Sequence, residues 1–180
     1  MRRRASALPP VGAVVVGCLA LSGCTVEGGA IAGVGVDDQG RPVGYLQVCE
    51  GHIDGATVYH SVEPDPDADS VSNPSVSDGS WDAPSAVSES ATWSLAAPDD
   101  WRTQTPLSPL EPGVEYSLYG WTNDNSWSAI DVPFTVDDLA GMEPGQVRYE
   151  AWTDDGELGD WAPVVTDVDE FVRDACASLT

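Results

Sequence analysis

The most reactive side chains in this sequence are four cysteines, Cys18, Cys24, Cys49 and Cys176. A thiolate can be alkylated, joined to a second thiol or bound to a metal, and its surroundings decide which. Cys18 and Cys24 lie within and at the end of an apolar run, while Cys49 and Cys176 stand in the body of the chain. Zinc chemistry finds no pattern here: no Cys-x-x-Cys pair is present, and the two histidines, His52 and His60, follow no His-Glu-x-x-His spacing. Serines are frequent, but none occupies a Gly-x-Ser-x-Gly elbow. The expectation is a non-catalytic protein without a cofactor, rather than a hydrolase.

The elements that carry the first two thiols are distinctive. Arg2, Arg3 and Arg4 make a positive start, Val11 to Leu21 an apolar stretch, and small residues then precede Cys24, which is the layout of a secretory signal. The stretch is too short to span about 30 Å of hydrocarbon, and Glu27 follows it, so it reads as a cleaved address rather than a membrane helix. Leu21-Ser22-Gly23-Cys24 resembles the lipobox of bacterial lipoproteins. That resemblance implies diacylglyceryl transfer to the Cys24 sulfur, cleavage between Gly23 and Cys24, and acylation of the new amino group, with two or more acyl chains giving a stable anchor. Val15-Val16-Gly17-Cys18 fits a looser box, but cleavage there strands Leu19-Ala20-Leu21 in the mature tail. The three arginines also suggest a twin-arginine signal, yet Ala5-Ser6-Ala7 lacks its flanking pattern, so general secretion is favoured. High Ala, Val and Asp usage without a single lysine is similar to actinobacterial lipoproteins. The implied location is the extracytoplasmic face of the cell membrane, with the membrane itself, a cell-wall glycan or another envelope protein as partner. With Cys18 discarded and Cys24 lipidated, Cys49 and Cys176 are expected to form a disulfide in an oxidising compartment.

Charge narrows the partners. Three of the seven basic residues leave with the signal, so four remain against 30 acidic ones, a net of −26. Such a surface repels nucleic acid, and no nucleic-acid binding is expected. It suits a dispersed extracellular domain and would also draw divalent cations. Asp65-Pro66-Asp67-Ala68-Asp69 alternates carboxylates as a calcium loop does, but Ser70 and Val76 stand where an EF-hand loop needs Gly and Glu. Thr122-Asn123-Asp124-Asn125 and Asp154-Asp155-Gly156-Glu157 are further acidic turns. Seven tryptophans offer another chemistry, since aromatic platforms stack on sugar rings. Trp81, Trp101 and Trp127 fall in or beside expected loops and are the candidate ligand-binding residues; the competing reading is that they fill cores or cover edges.

Three segments follow: a signal at 1–23, a lipidated tether at 24–29, and one domain at 30–180. Within the domain, Ala32, Val34 and Val36 alternate on one face, then Leu46 and Val48, then Ala56, Val58 and His60, then Ala91, Trp93 and Leu95. Residues 62–90, rich in Asp, Ser and Pro, read as an extended acidic loop pinned by Trp81. Ile130, Val132, Phe134 and Val136 also alternate, and Asp137-Asp138 suits one short helical turn. Thr166 with Asp169 resembles a capping box opening an amphipathic helix over 166–179, which carries Cys176. The run Leu110-Glu111-Pro112-Gly113, followed by Val114, Tyr116 and Leu118, resembles the entry to the sixth strand of fibronectin type III and immunoglobulin-like domains, where the tyrosine locks a corner. The run from Leu139 to Gly145 echoes that turn. The expected fold is therefore mainly β: one antiparallel immunoglobulin- or fibronectin-like sandwich of about eight strands with a docked C-terminal helix.

Overall fold

A computed structural model describes residues 26–63, 74–153 and 159–179. The chain is built around its first strand, β1 (Glu27–Val36), whose sequence of small and branched residues allows burial on both faces. Ala30, Ala32, Val34 and Val36 enter the main core, while Ile31 enters a second one. The turn to β2 (Pro42–Val48) is closed by Asp37, whose carboxylate accepts bonds from the Gln39 and Arg41 amides at 2.9 Å each and pairs with the Arg41 guanidinium. Those bonds, the Arg41 side chain first, hold the Asp37 carboxyl below its usual range.

The remaining strands are β3 (Ile53–Ser61), β4 (Ser75–Val87), β5 (Ser90–Ser94), β6 (Arg102–Thr105), β7 (Tyr116–Trp121), β8 (Trp127–Ile130), β9 (Val132–Phe134), β10 (Gln146–Thr153) and β11 (Asp160–Asp167). One edge of β1 takes β2, which in turn pairs β5. Its other edge is shared, with β8 running parallel to the first half and β10 antiparallel to the second. The antiparallel-only expectation is thus corrected: a ten-residue strand is long enough to serve two partners, and the β1/β8 pairing makes the sheet mixed. From β8 the order continues β7-β3-β4-β6, with β9 also on β7. The sheet curls so that β1, β2 and β5 share one core with β3, β4, β7 and β9, filled by Leu46, Ile53, Val58, Leu118, Val132 and Phe134 among others.

Several expected positions hold. Leu46 and Val48 face the main core and Tyr45 the second; Ala91, Trp93 and Leu95 all contact the main core. The Tyr116 hydroxyl accepts a 2.9 Å bond from the Glu111 amide, closing the corner in which Gly113 takes a φ of +79°. Gly145, at the end of the echo run, has a φ of +89° and plays the same part before β10. Asp138 and Thr135 form a capping box at α1 (Val136–Ala140), the short helical turn expected there.

Others do not. The acidic loop is shorter than 62–90 because residues 75–87 form β4, the longest strand. Its core side is carried by Trp81, with Ala83 and Val87 packed against the same cluster, but Ser and Asp residues fill most of the positions between, and pairing to β3 and β6 holds the rest. Ile130 leaves the Val132–Phe134 face: the chain breaks register at Asp131, and Ile130 packs with the second core instead. β1 begins at Glu27, within the 24–29 segment expected to be a tether.

The C-terminal part packs on the other face of β1. β10 and β11 pair antiparallel over eight residue pairs, and α2 (Val168–Asp174) with a following 3-10 turn (Ala175–Leu179) lays Phe171 and Ala175 against Ile31, Val43, Val147 and Tyr149. Phe171 meets Tyr149 edge to face at 5.2 Å. The helix starts at Val168, not at 166: Thr166 still pairs with Val147 of β10, and its hydroxyl donates to Glu170. Cys49 and Cys176 are bonded, Cα atoms 5.5 Å apart, fastening this turn to the end of β2. Among the described residues no helix is long and apolar enough to cross a membrane.

Candidate binding groove

On β3 and β7 the core positions are Ala56, Val58, Tyr116 and Leu118, so the alternate residues Thr57, Tyr59, Ser117, Tyr119 and Trp121 face outward. Three of those five are aromatic, unusual for the wet face of a strand pair. The register sets Thr57 opposite Tyr119 and Tyr59 opposite Ser117, which brings the two tyrosine rings together diagonally at 5.6 Å, edge to face. Trp121 lies across Gly55, where a Cβ would strike its ring, and its Nε1 donates to Thr57 Oγ1 at 3.0 Å. Trp127 opens β8 and packs over Gly29 and Gly51.

The β7/β8 turn is held from within. Thr122 Oγ1 accepts from the Trp127 amide and donates to its carbonyl, both at 3.1 Å. Asp124 accepts from the Ser126 amide and hydroxyl, which keeps its carboxyl below the usual range. The Asn123 amide donates to Asp54. Together these elements frame a groove of about 310 Å³ whose lining includes Val26, Tyr59, Tyr119, Trp121, Asn125, Trp127 and Asp131. That volume falls at the lower end of small-molecule sites, roughly 300–1,000 Å³. Tyr59 donates its hydroxyl to Asp131 at 3.3 Å, and burial, aided by the nearby Asp131 charge, raises its pKa. A second depression of about 420 Å³ shares Tyr59 and Tyr119 and continues over Ser75 and Ser77.

The electrostatics are one-sided. All four arginines of the described residues are engaged elsewhere: Arg41 with Asp37, Arg102 with Asp82, Arg148 with the Pro133 carbonyl and Asp138, and Arg173 with Asp174. The groove therefore carries hydrogen-bond acceptors and aromatic faces and no cation.

The tryptophans singled out in the sequence separate. Trp81 is 0% exposed and meets Trp93 edge to face at 6.4 Å; Trp101 is 7% exposed and stacks on Trp93 at 4.1 Å. These three rings are core, so Trp81 and Trp101 present no face to a ligand, and this part of the expectation is corrected. Trp127 does line the groove. Tyr59, Tyr119 and Trp121 line it too, and their alternation with the core positions Val58, Leu118 and Tyr116 is the sequence signal that marks them as outward-facing. Of the calcium candidates, Asp65 to Asp69 and Asp154 to Glu157 lie outside the described residues, and Thr122 to Asn125 is occupied with its own turn. His60 pairs with Asp78 at 2.6 Å and His52 with Asp54 at 3.5 Å; among the described residues no three His, Cys, Asp or Glu side chains converge. Cys24 and Gly23 lie outside the described residues. Comparison with protein-family models, with curated proteins and with solved structures finds no match to this chain.

Proposed function

We propose that this chain is a bacterial lipoprotein, held by acyl chains on Cys24 at the extracytoplasmic face of the cell membrane after loss of residues 1–23, and that its folded part is a non-catalytic, saccharide-binding domain. The observation that carries the binding role is the solvent-facing aromatic groove, because rings of Tyr119, Trp121 and Trp127 offer the flat apolar surface on which a pyranose lies. The bonded Cys49 and Cys176 support an oxidising compartment, and a short N-terminal tether supports anchoring close to the bilayer. We further propose an immunoglobulin-like sandwich, with β1, β2 and β5 as one layer and β9, β7, β3 and β4 as the other; the Tyr116 corner and the shared core between these groups support it. Two measurements test the proposal. The mass of the mature N-terminal peptide should place a diacylglyceryl group on Cys24; an unmodified amino terminus elsewhere defeats the anchoring. Titration with neutral cell-envelope oligosaccharides should quench or shift tryptophan emission, and a response unchanged by Tyr119→Ser defeats the groove.

A further inference from the structure

We infer that the saccharide taken by this groove is the uncharged headgroup of a membrane glycolipid, lying in the same bilayer as the Cys24 anchor. This deepens the preceding reading and rests on lipidation at Cys24.

The tether length leads to it. Val26 lines the groove and is 41% exposed, and β1 starts one residue later, with Glu27 in register with Trp127. Only Thr25 separates Val26 from Cys24. Two residues, fully extended, reach about 7 Å. The headgroup layer on each side of a bilayer is about 5–7 Å deep. A lipid on Cys24 therefore holds the Val26 side of the groove against the headgroups, and the domain has too little chain to stand off. A distant wall polymer would have to thread beneath the domain, whereas a lipid headgroup is already there at high local concentration.

Charge selects among headgroups. The groove offers the Asp131 carboxylate and the Asn125 amide but no cation, within a mature chain of net charge −26. A phosphate or carboxylate placed there meets repulsion without a partner. Sugar hydroxyls instead donate to Asp131 and exchange bonds with Asn125, and the ring C–H face rests on Tyr119 and Trp121.

The test uses the full mature chain, purified with its lipid and checked by intact mass, in phosphatidylcholine vesicles with and without a neutral monohexosyl diacylglycerol. Tryptophan emission is the readout, with a soluble neutral wall oligosaccharide as a second ligand. The inference expects a blue shift that saturates with the glycolipid, is absent in phosphatidylcholine alone, and needs about tenfold more glycolipid in Tyr119→Ser. Asp131→Asn, which keeps the volume, should weaken it similarly and serves if Tyr119→Ser misfolds. A response to the soluble oligosaccharide but not to the glycolipid overturns this inference and leaves the saccharide groove standing. A response to phosphatidylcholine alone overturns the sugar selectivity. No response to either sugar overturns both readings, and an unlipidated Cys24 removes the anchoring on which this one depends.

Discussion

Cutting the Cys49–Cys176 bond tests how the two cores depend on each other. The bond closes a loop with a sequence separation of 127 residues. For a loop of that length the chain-entropy relation gives about 5 kcal/mol of stabilisation, acting through the unfolded chain. Native domains hold about 5–15 kcal/mol in total, so a large share is at stake. In the folded state the severed turn keeps Phe171 and Ala175 buried against Ile31 and Tyr149, so the reduced protein should stay folded at 25 °C. The double variant Cys49→Ser/Cys176→Ser should lose about 3–5 kcal/mol in urea unfolding, and at roughly 2–4 °C per kcal/mol for a chain of this size its Tm should fall by about 6–20 °C. Its m-value should rise, because the unbridged denatured chain exposes more surface. Oxidised and reduced wild type should bracket the same difference. A loss below about 1 kcal/mol, or two free thiols in denatured, unreduced protein, would refute the reasoning.

Three further outcomes follow from single positions. Gly51→Ala places a Cβ on the Trp127 ring at a φ of +70° and should cost about 2 kcal/mol, with a change in tryptophan emission that separates it from a generic loop substitution. Tyr116→Phe removes the bond from the Glu111 amide while keeping the buried ring, and should cost about 1 kcal/mol by urea unfolding; an unchanged midpoint would deny the corner its role. Glu150 is 9% exposed with Oε1 unpartnered, and burial, more than its acidic neighbours, raises its pKa. A raised carboxyl pKa favours folding at low pH, and that contribution is lost as pH climbs through the folded-state value. Glu150→Gln should therefore raise Tm at pH 7, with the gain shrinking toward acid as the wild-type carboxyl protonates; an equal gain at both pH values would mean the charge is not responsible.

What the sequence determined by itself was local or chemical. Alternation in Ala32, Val34 and Val36, or in Ala91, Trp93 and Leu95, names the core face of a strand because side chains repeat every two residues whatever the strand pairs with. The corner at Tyr116 was legible because one turn geometry demands Gly113 and a nearby hydroxyl acceptor. The Cys49–Cys176 pair followed from a count of thiols, with no geometry needed. Tertiary structure decided the rest. β4 becomes a strand because β3 and β6 supply partners for its backbone, while in the sequence the spacing of Trp81, Ala83 and Val87 is masked by the Ser, Asp and Pro residues around them. Whether a tryptophan is core or surface depended on which strands met: Trp81 and Trp101 close on Trp93, while Trp121 and Trp127 stay at the groove because Gly55 and Gly51 seat them on the outer side. The groove itself joins Tyr59 of β3 to residues of β7 and β8 that lie sixty or more positions further along the chain, as the Tyr59–Asp131 bond across 72 positions illustrates. Periodicity assigns each residue a face, but only strand pairing decides which faces become neighbours.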